Sequence, residues 1–268
     1  MGYTIRELQL SILELMKEFK KICDENNLSY ILVGGTCLGA IRHNGFIPWD
    51  DDADVAMPRE DYEKFKIICN NSNILNSLYV LQDYNPKVEP HYADGWIRIR
   101  KKNTLCVIEY HKKGGYKELG VFLDIFPYDY VYAKNEKDIK RLQNRYSLIN
   151  RSFKNKITIK LNTFKSKILR LLILFTPTSY LYNKRETIAK KFDVKNANHI
   201  VDFNSKYGYK KATFNTDIFS LRIEHTFEGV SFYIPKNYDE YLKVTFNDYM
   251  KLPPIEEQVG HLPKEIKL

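Results

Sequence analysis

Residues 52–57, Asp-Ala-Asp-Val-Ala-Met, alternate acidic and apolar side chains before Pro58 ends the run. Successive side chains on a β-strand point to opposite faces, so Asp52 and Asp54 project together while Ala53 and Val55 turn to a core. Asp50 joins the acidic face if the strand extends that far. Two carboxylates held a few ångströms apart repel each other unless a cation sits between them. The apolar residues interleaved with them argue against a freely solvated acidic loop. Ligation rich in Asp and free of thiols suits hard Mg²⁺, which in turn prefers phosphate partners. An EF-hand would need its spaced ligands and a closing Glu, and the segment has neither.

Upstream, Tyr30-Ile31-Leu32-Val33 reads as a short buried strand broken at Gly34-Gly35, with a helical-looking stretch after it. Glycines there let backbone N–H groups approach a ligand, and a helix N-terminus favours phosphate. Thr36 adds a hydroxyl donor. This phosphate cradle lies sixteen residues before Asp52, which places cradle and acids at one sheet edge. A third acid, Asp124, stands in Val121-Phe122-Leu123-Asp124-Ile125-Phe126-Pro127. Burying it on so apolar a strand is costly without a partner, which a metal ion or a proton-transfer role supplies. Asp129, beyond Pro127, reads as a loop or capping residue.

The rest of the chain frames these residues. Apolar positions Ile5, Leu8, Ile12, Leu15, Phe19 and Ile22 recur at helical spacing behind Thr4 and Glu7, a capping-box pair. A second helix is expected over 59–70 and strands over 78–82, 96–101, 104–108 and 120–126. Residues 135–195 read as helical, 224–234 as a hairpin turning at Glu228-Gly229, and 238–246 as a short helix. Strands mixed with helices around a central sheet give an α/β or α+β layered domain. The expected divisions are a catalytic core over 1–134, a basic helical insertion over 135–200, and a C-terminal part over 201–268 that completes the core.

The formal net charge of +9 is local: Lys140 to Arg170 holds ten basic residues and no acidic one, and the remainder of the chain carries −1. The same stretch runs into the apolar series Ile168 to Phe175, interrupted only by Arg170. A basic segment leading into an apolar one suits a helix lying on an anionic membrane, or else a solvated face beside a core helix. No nucleic-acid recognition module accompanies the patch, so nucleic acid is not expected as a partner. The four cysteines, Cys23, Cys37, Cys69 and Cys106, form no C-x-x-C pair, which argues against structural zinc or a disulfide scaffold. A reducing, cytoplasmic location is expected, with the inner face of the cell membrane as a second possibility that the basic stretch raises.

The block Gly34-Gly35-Thr36…Gly39-Ala40-Ile41-Arg42-His43…Gly45-Phe46-Ile47-Pro48-Trp49-Asp50-Asp51-Asp52-Ala53-Asp54 resembles the signature of the LicD family of phosphotransferases, which includes the fukutin-related proteins. Ile99-Arg100-Lys101-Lys102-Asn103-Thr104, Leu123-Asp124-Ile125-Phe126-Pro127 and the tail Tyr249-Met250…Pro253-Pro254…Glu257 are similar as well. The resemblance implies an α+β, nucleotidyltransferase-like mixed sheet flanked by helices. It also implies transfer of a phospho-alcohol from a CDP-activated donor, most often phosphocholine from CDP-choline, to a hydroxyl of a cell-surface glycan or its lipid-linked precursor, with release of CMP. In that reading Asp52 and Asp54 hold Mg²⁺ or Mn²⁺, and Asp124 completes the metal site or takes the proton of the attacking hydroxyl. Gly34, Gly35 and Thr36 hold the diphosphate, Arg42, Arg98 and Arg100 are candidate phosphate contacts, and Trp49 is a candidate contact for a quaternary ammonium. Two other readings stay open at this point. One is nucleotidyl transfer to a protein or small molecule with release of pyrophosphate; the other is a non-catalytic docking subunit that keeps the fold.

Overall fold

The capping box forms at Thr4: its side chain accepts from Glu7 N, and Thr4 N donates to Glu7 Oε2 at 2.7 Å. Helix α1 (Ile5–Glu25) buries Leu8, Ile12, Leu15, Phe19 and Ile22, the stripe set by their spacing. The structure is a computed structural model describing residues 3–71, 74–75, 77–108, 115–157, 167–260 and 263–268. After α1 come β1 (Ile31–Leu32), α2 (Gly34–His43), β2 (Asp54–Pro58), α3 (Arg59–Asn71), β3 (Tyr79–Gln82), β4 (Ile97–Lys101), β5 (Leu105–Val107) and β6 (Phe122–Val131). Three helices follow, α4 (Glu136–Ile157), α5 (Lys167–Phe175) and α6 (Thr178–Ala189). The chain closes with β7 (His199–Val201), β8 (Thr213–Phe214), the hairpin β9 (Arg222–Phe227) and β10 (Val230–Pro235), α7 (Tyr238–Phe246) and β11 (Glu265–Lys267).

The main sheet runs β1-β2-β6-β4-β3, with β7 beside the far half of β6 and β8 beside β7. Only β2 and β6 pair in parallel; the other pairs are antiparallel. The mostly antiparallel pairing makes the architecture α+β, the class that the family resemblance implies and that the periodicities alone left beside α/β. The chain leaves the sheet after β6, forms α4 to α6, and returns as β7 against β6. A main core of α1, α3 and the central strands, with Phe19, Phe65, Val55 and Ile125 fully buried, underlies the sheet. A second cluster, including Ile139, Tyr146, Ile188 and Val201, fastens α4 and α6 to the end of β6 and β7. All four cysteines are buried free thiols.

Two local expectations change. Strand β6 continues past Pro127, and Asp129 is a buried strand residue rather than a loop cap. Pairing with β4 ends at Ile125 and pairing with β7 begins at Asp129, so the missing Pro127 N–H falls where the antiparallel partner changes. Asp129 is buried with its partner: Arg59 Nε and Nη2 donate to its two oxygens at 2.6 and 3.1 Å. Arg59 also pairs with Glu63 and Glu186, tying α3, β6 and α6 together. Strand β2 starts at Asp54 and not at Asp52, which lies in the preceding loop.

Candidate active site

The parallel pairing of β2 with β6 sets Asp54 opposite Asp124, and the antiparallel pairing of β4 with β6 sets Arg98 opposite Asp124. Carboxylate, carboxylate and guanidinium thus occupy three neighbouring strands, spaced about 4.8 Å apart. Arg98 Nε lies 2.5 Å from Asp124 Oδ1 as an ion pair. The N–H is not aligned for a hydrogen bond, and both atoms are buried without one. Arg98 is held from behind by Asp94, whose oxygens also meet Tyr116 Oη at 3.0 Å and Lys154 Nζ at 2.9 Å. Burial alone would raise the Asp94 pKa, but Lys154 and Arg98 hold it far below the usual carboxylate range.

Asp54 is in the opposite condition. Burial, then the charges of Asp52, Asp124 and Asp50, push its pKa well above the usual value, with Lys206 a smaller opposing charge. Burial also raises the pKa of Asp124, with Arg98 and the Trp96 indole as partial offsets. A carboxylate facing three others is stable in its ionised form only when a cation joins them. The clustered hard oxygen donors of Asp50, Asp52 and Asp54, with no thiol or imidazole ligand grouped with them among the described residues, fit a divalent ion of the Mg²⁺ or Mn²⁺ type. Among the described residues, the three carboxylates whose oxygens all approach within 4.8 Å of one another are those of Asp50, Asp51 and Asp52. Asp52, Asp54 and Asp124 do not form so tight a trio, which is consistent with their mutual repulsion and with the pull of Arg98 on Asp124.

The acids face a cavity of about 430 Å³. Gly34 and Gly35, Asp52, Asp54 and Asp124 form one side of it. The glycines begin α2 itself rather than a turn before it, and no side chain caps that helix end. Each gives way to an acid. A Cβ on Gly34, whose φ is +55°, would stand 3.2 Å from Asp54 Oδ2, and one on Gly35 would stand 2.9 Å from Asp50 Oδ2. The Gly34 N–H donates to Tyr241 Oη at 2.9 Å. Thr36 does not line the cavity; its hydroxyl accepts the Asp54 N–H at 2.8 Å and so fixes the start of β2.

Of the three arginines singled out, Arg98 alone lines the cavity. Arg42 donates to the carbonyl of Tyr249 at 2.8 Å and holds the C-terminal segment. Arg100, fully buried one register step further along β4, binds Gln82 and the Gly120 carbonyl. Trp49 packs on the core beside His43 and is not in the cavity wall.

Several wall residues lay outside the reading of the sequence. Lys154, Lys206 and Lys211 bring positive charge, and Trp96, Phe126, Tyr128 and Tyr207 bring aromatic faces. Lys154 is one member of the basic stretch turned inward, which a count of charges does not separate from its exposed neighbours. Asp202 also lines the cavity, with Asn204 N donating to its Oδ1 at 2.8 Å. Burial pushes its pKa up to about 7, against those local hydrogen bonds. Its setting, Val201-Asp202-Phe203, has the same acid-between-apolars pattern as Asp124.

Comparison with known proteins gives the family. Residues 27–165, just over half of the chain, match the LicD/FKTN/FKRP nucleotidyltransferase domain. The chain belongs to the LicD family. It is 33% identical over 267 residues, 96% of each chain, to the lipopolysaccharide cholinephosphotransferase LicD of Haemophilus influenzae. It is also 31% identical over 140 residues to an uncharacterised protein of Rickettsia typhi, covering 52% of this chain and 41% of that one. As a LicD-like phosphotransferase the chain is an enzyme, and the matched region contains Asp50, Asp52, Asp54, Asp94 and Asp124 of the cavity region but not Asp202.

Proposed function

We propose that this LicD-family enzyme transfers phosphocholine from CDP-choline to a sugar hydroxyl of a lipopolysaccharide or its precursor, releasing CMP. The observation that carries the proposal is one cavity lined both by Asp52, Asp54 and Asp124 at a glycine-opened helix N-terminus and by Arg98, Lys154, Lys206 and Lys211. The likeness to a lipopolysaccharide cholinephosphotransferase along 96% of both chains supports choline as the alcohol and lipopolysaccharide as the acceptor.

Asp52, Asp54 and Asp124 would hold the divalent ion, which when bound supplies neutralisation of the donor's diphosphate charge. The lysines and Arg98 bind and orient the remaining phosphate oxygens, and Trp96, Phe126 and Tyr207 offer aromatic faces to the quaternary ammonium. Trp96 already attracts cations: Lys154 Nζ lies 5.2 Å from its ring centroid. Asp124, between Arg98 and the ion it would help to hold, is not available as a base, so the proton of the attacking hydroxyl goes to Asp202, whose pKa near 7 suits a general base at neutral pH. The sugar oxygen bonds to the phosphorus that carries choline, the bond from that phosphorus to the bridging oxygen breaks, and CMP leaves with the bridging oxygen.

Incubation with CDP-choline, CTP or ATP, a lipopolysaccharide acceptor and Mg²⁺ tests the reading through the nucleotide product. CMP released only with CDP-choline, and lost on chelation, is the expected result. Pyrophosphate released from CTP or ATP would establish nucleotidyl transfer instead.

A further inference from the structure

Helix α5 carries an apolar stripe that faces away from the protein. Ile168, Leu171, Leu172 and Phe175 follow the i, i+3, i+4, i+7 spacing of one helical face, and each is between 60% and 76% exposed. Ile173, on the other side, is buried at 4%. The helix is nonetheless fixed in place. Lys156 of α4 donates to the carbonyls of Ile173 and Leu174 and to that of Thr176, satisfying the C-terminal end of α5. A face of this size with four large apolar side chains costs solubility unless something covers it.

The charge around it says what does. The stripe ends a sequence of ten basic residues without an acid between Lys140 and Arg170, and Arg141, Arg145 and Arg151 of α4 are exposed. Leu148, on the same helix, is half exposed, and Tyr180 of α6 is exposed as well. The apolar face of α5 and the exposed cations Arg145 and Arg151 of the preceding helix match the acyl boundary and the anionic headgroups of a membrane surface, while Arg141 faces Asp138 and Lys154 is turned inward. No helix among the described residues is long and apolar enough to cross a bilayer. At about 13 Å, α5 has the reach to lie in the interface plane only.

We infer that α5, flanked by the basic residues of α4, is a docking surface for an anionic membrane. This goes beyond the transfer reaction and does not depend on it.

Flotation of the purified full chain tests the inference. The vesicles are phosphatidylcholine alone, or phosphatidylcholine with about a third phosphatidylglycerol. The protein is expected to float with the anionic vesicles at low salt and to lose most of that binding at high salt. Leu171→Glu with Leu172→Glu should reduce partitioning about a hundredfold. Arg145→Glu with Arg151→Glu should remove the preference for anionic lipid while leaving the helix surface apolar. An unchanged melting temperature shows that each variant is folded; because both pairs are exposed, one misfolded pair leaves the other to decide. Protein that stays at the bottom with anionic vesicles overturns the inference, as does equal flotation of the Glu pair. Concentration-dependent self-association abolished by the Glu pair, without vesicle binding, would assign the face to a second copy of the chain and also overturn it.

Discussion

Replacing Asp54 by Asn keeps the shape of the side chain and removes a charge that Asp52, Asp124 and Asp50 all oppose. Neighbouring strands place two such carboxylates about 5 Å apart, so at an effective dielectric of about 20 their repulsion is about 3 kcal/mol. Uptake of a proton by Asp54 relieves part of it, which makes that figure a ceiling. Without metal, Asp54→Asn should therefore stabilise the protein by about 1–3 kcal/mol, a rise of roughly 2–8 °C in Tm for a chain of this size. The wild type should gain Tm on addition of Mg²⁺ or Mn²⁺, the variant much less, and the variant should lose CMP release. The sign with pH is also set. A carboxyl whose folded pKa is raised stabilises the protein most below its unfolded pKa and loses that contribution as pH rises through the folded one. The Tm gain from metal should accordingly grow from pH 5 to pH 8. Thermal melts in chelator and in Mg²⁺ across that range measure all of this. A metal-free Tm several degrees below wild type, or an equal Mg²⁺ response in both proteins, would refute an electrostatically frustrated metal site.

Other outcomes follow from the same contacts. With Asp202 as proton acceptor, transfer rates should rise with pH to a plateau around its pKa of about 7, and Asp202→Asn should lower kcat at least about a hundredfold and abolish that limb. The same substitution should reduce the loss of stability between pH 4 and pH 7, since the folded group binds its proton more tightly than the unfolded one. Gly34→Ala should cost about 1–2 kcal/mol for a side chain at positive φ and should depress metal-stimulated activity by crowding Asp54, both readable from melts and CMP release. Asp129→Ala leaves Arg59 buried with part of its pairing lost and should destabilise by about 3–5 kcal/mol, seen as a large drop in denaturation midpoint with KM for the donor unchanged.

Much of this molecule is legible in local pattern. The cap at Thr4, the stripe of α1 and the β9–β10 hairpin form where their spacing requires, whereas β2 is buried on both faces after Asp54 rather than alternating. The acids were recognisable because a carboxylate between apolar neighbours needs a reason to be buried, and the Gly-Gly pair because it precedes helix-forming residues. The same rule, applied to Val201-Asp202-Phe203, would have found Asp202. Arg42, Arg98 and Arg100 could not be ranked in this way, because an arginine in sequence carries no sign of which anion or carbonyl it meets.

The sequence by itself determined the element types, a layered mixture of helices and strands, and the residue chemistry of one acidic edge, because these depend on spacing within a dozen residues. Tertiary structure decided which groups share the cavity. Register brings Asp124 beside Asp54 and Arg98 beside Asp124, and the return of the chain at β7 sets Asp202 in the same wall. It also turned Lys154 inward to Asp94 and left the α5 stripe facing outward. Such choices depend on which strands pair and which helices pack across separations of 26 to 72 residues, and no local periodicity encodes them.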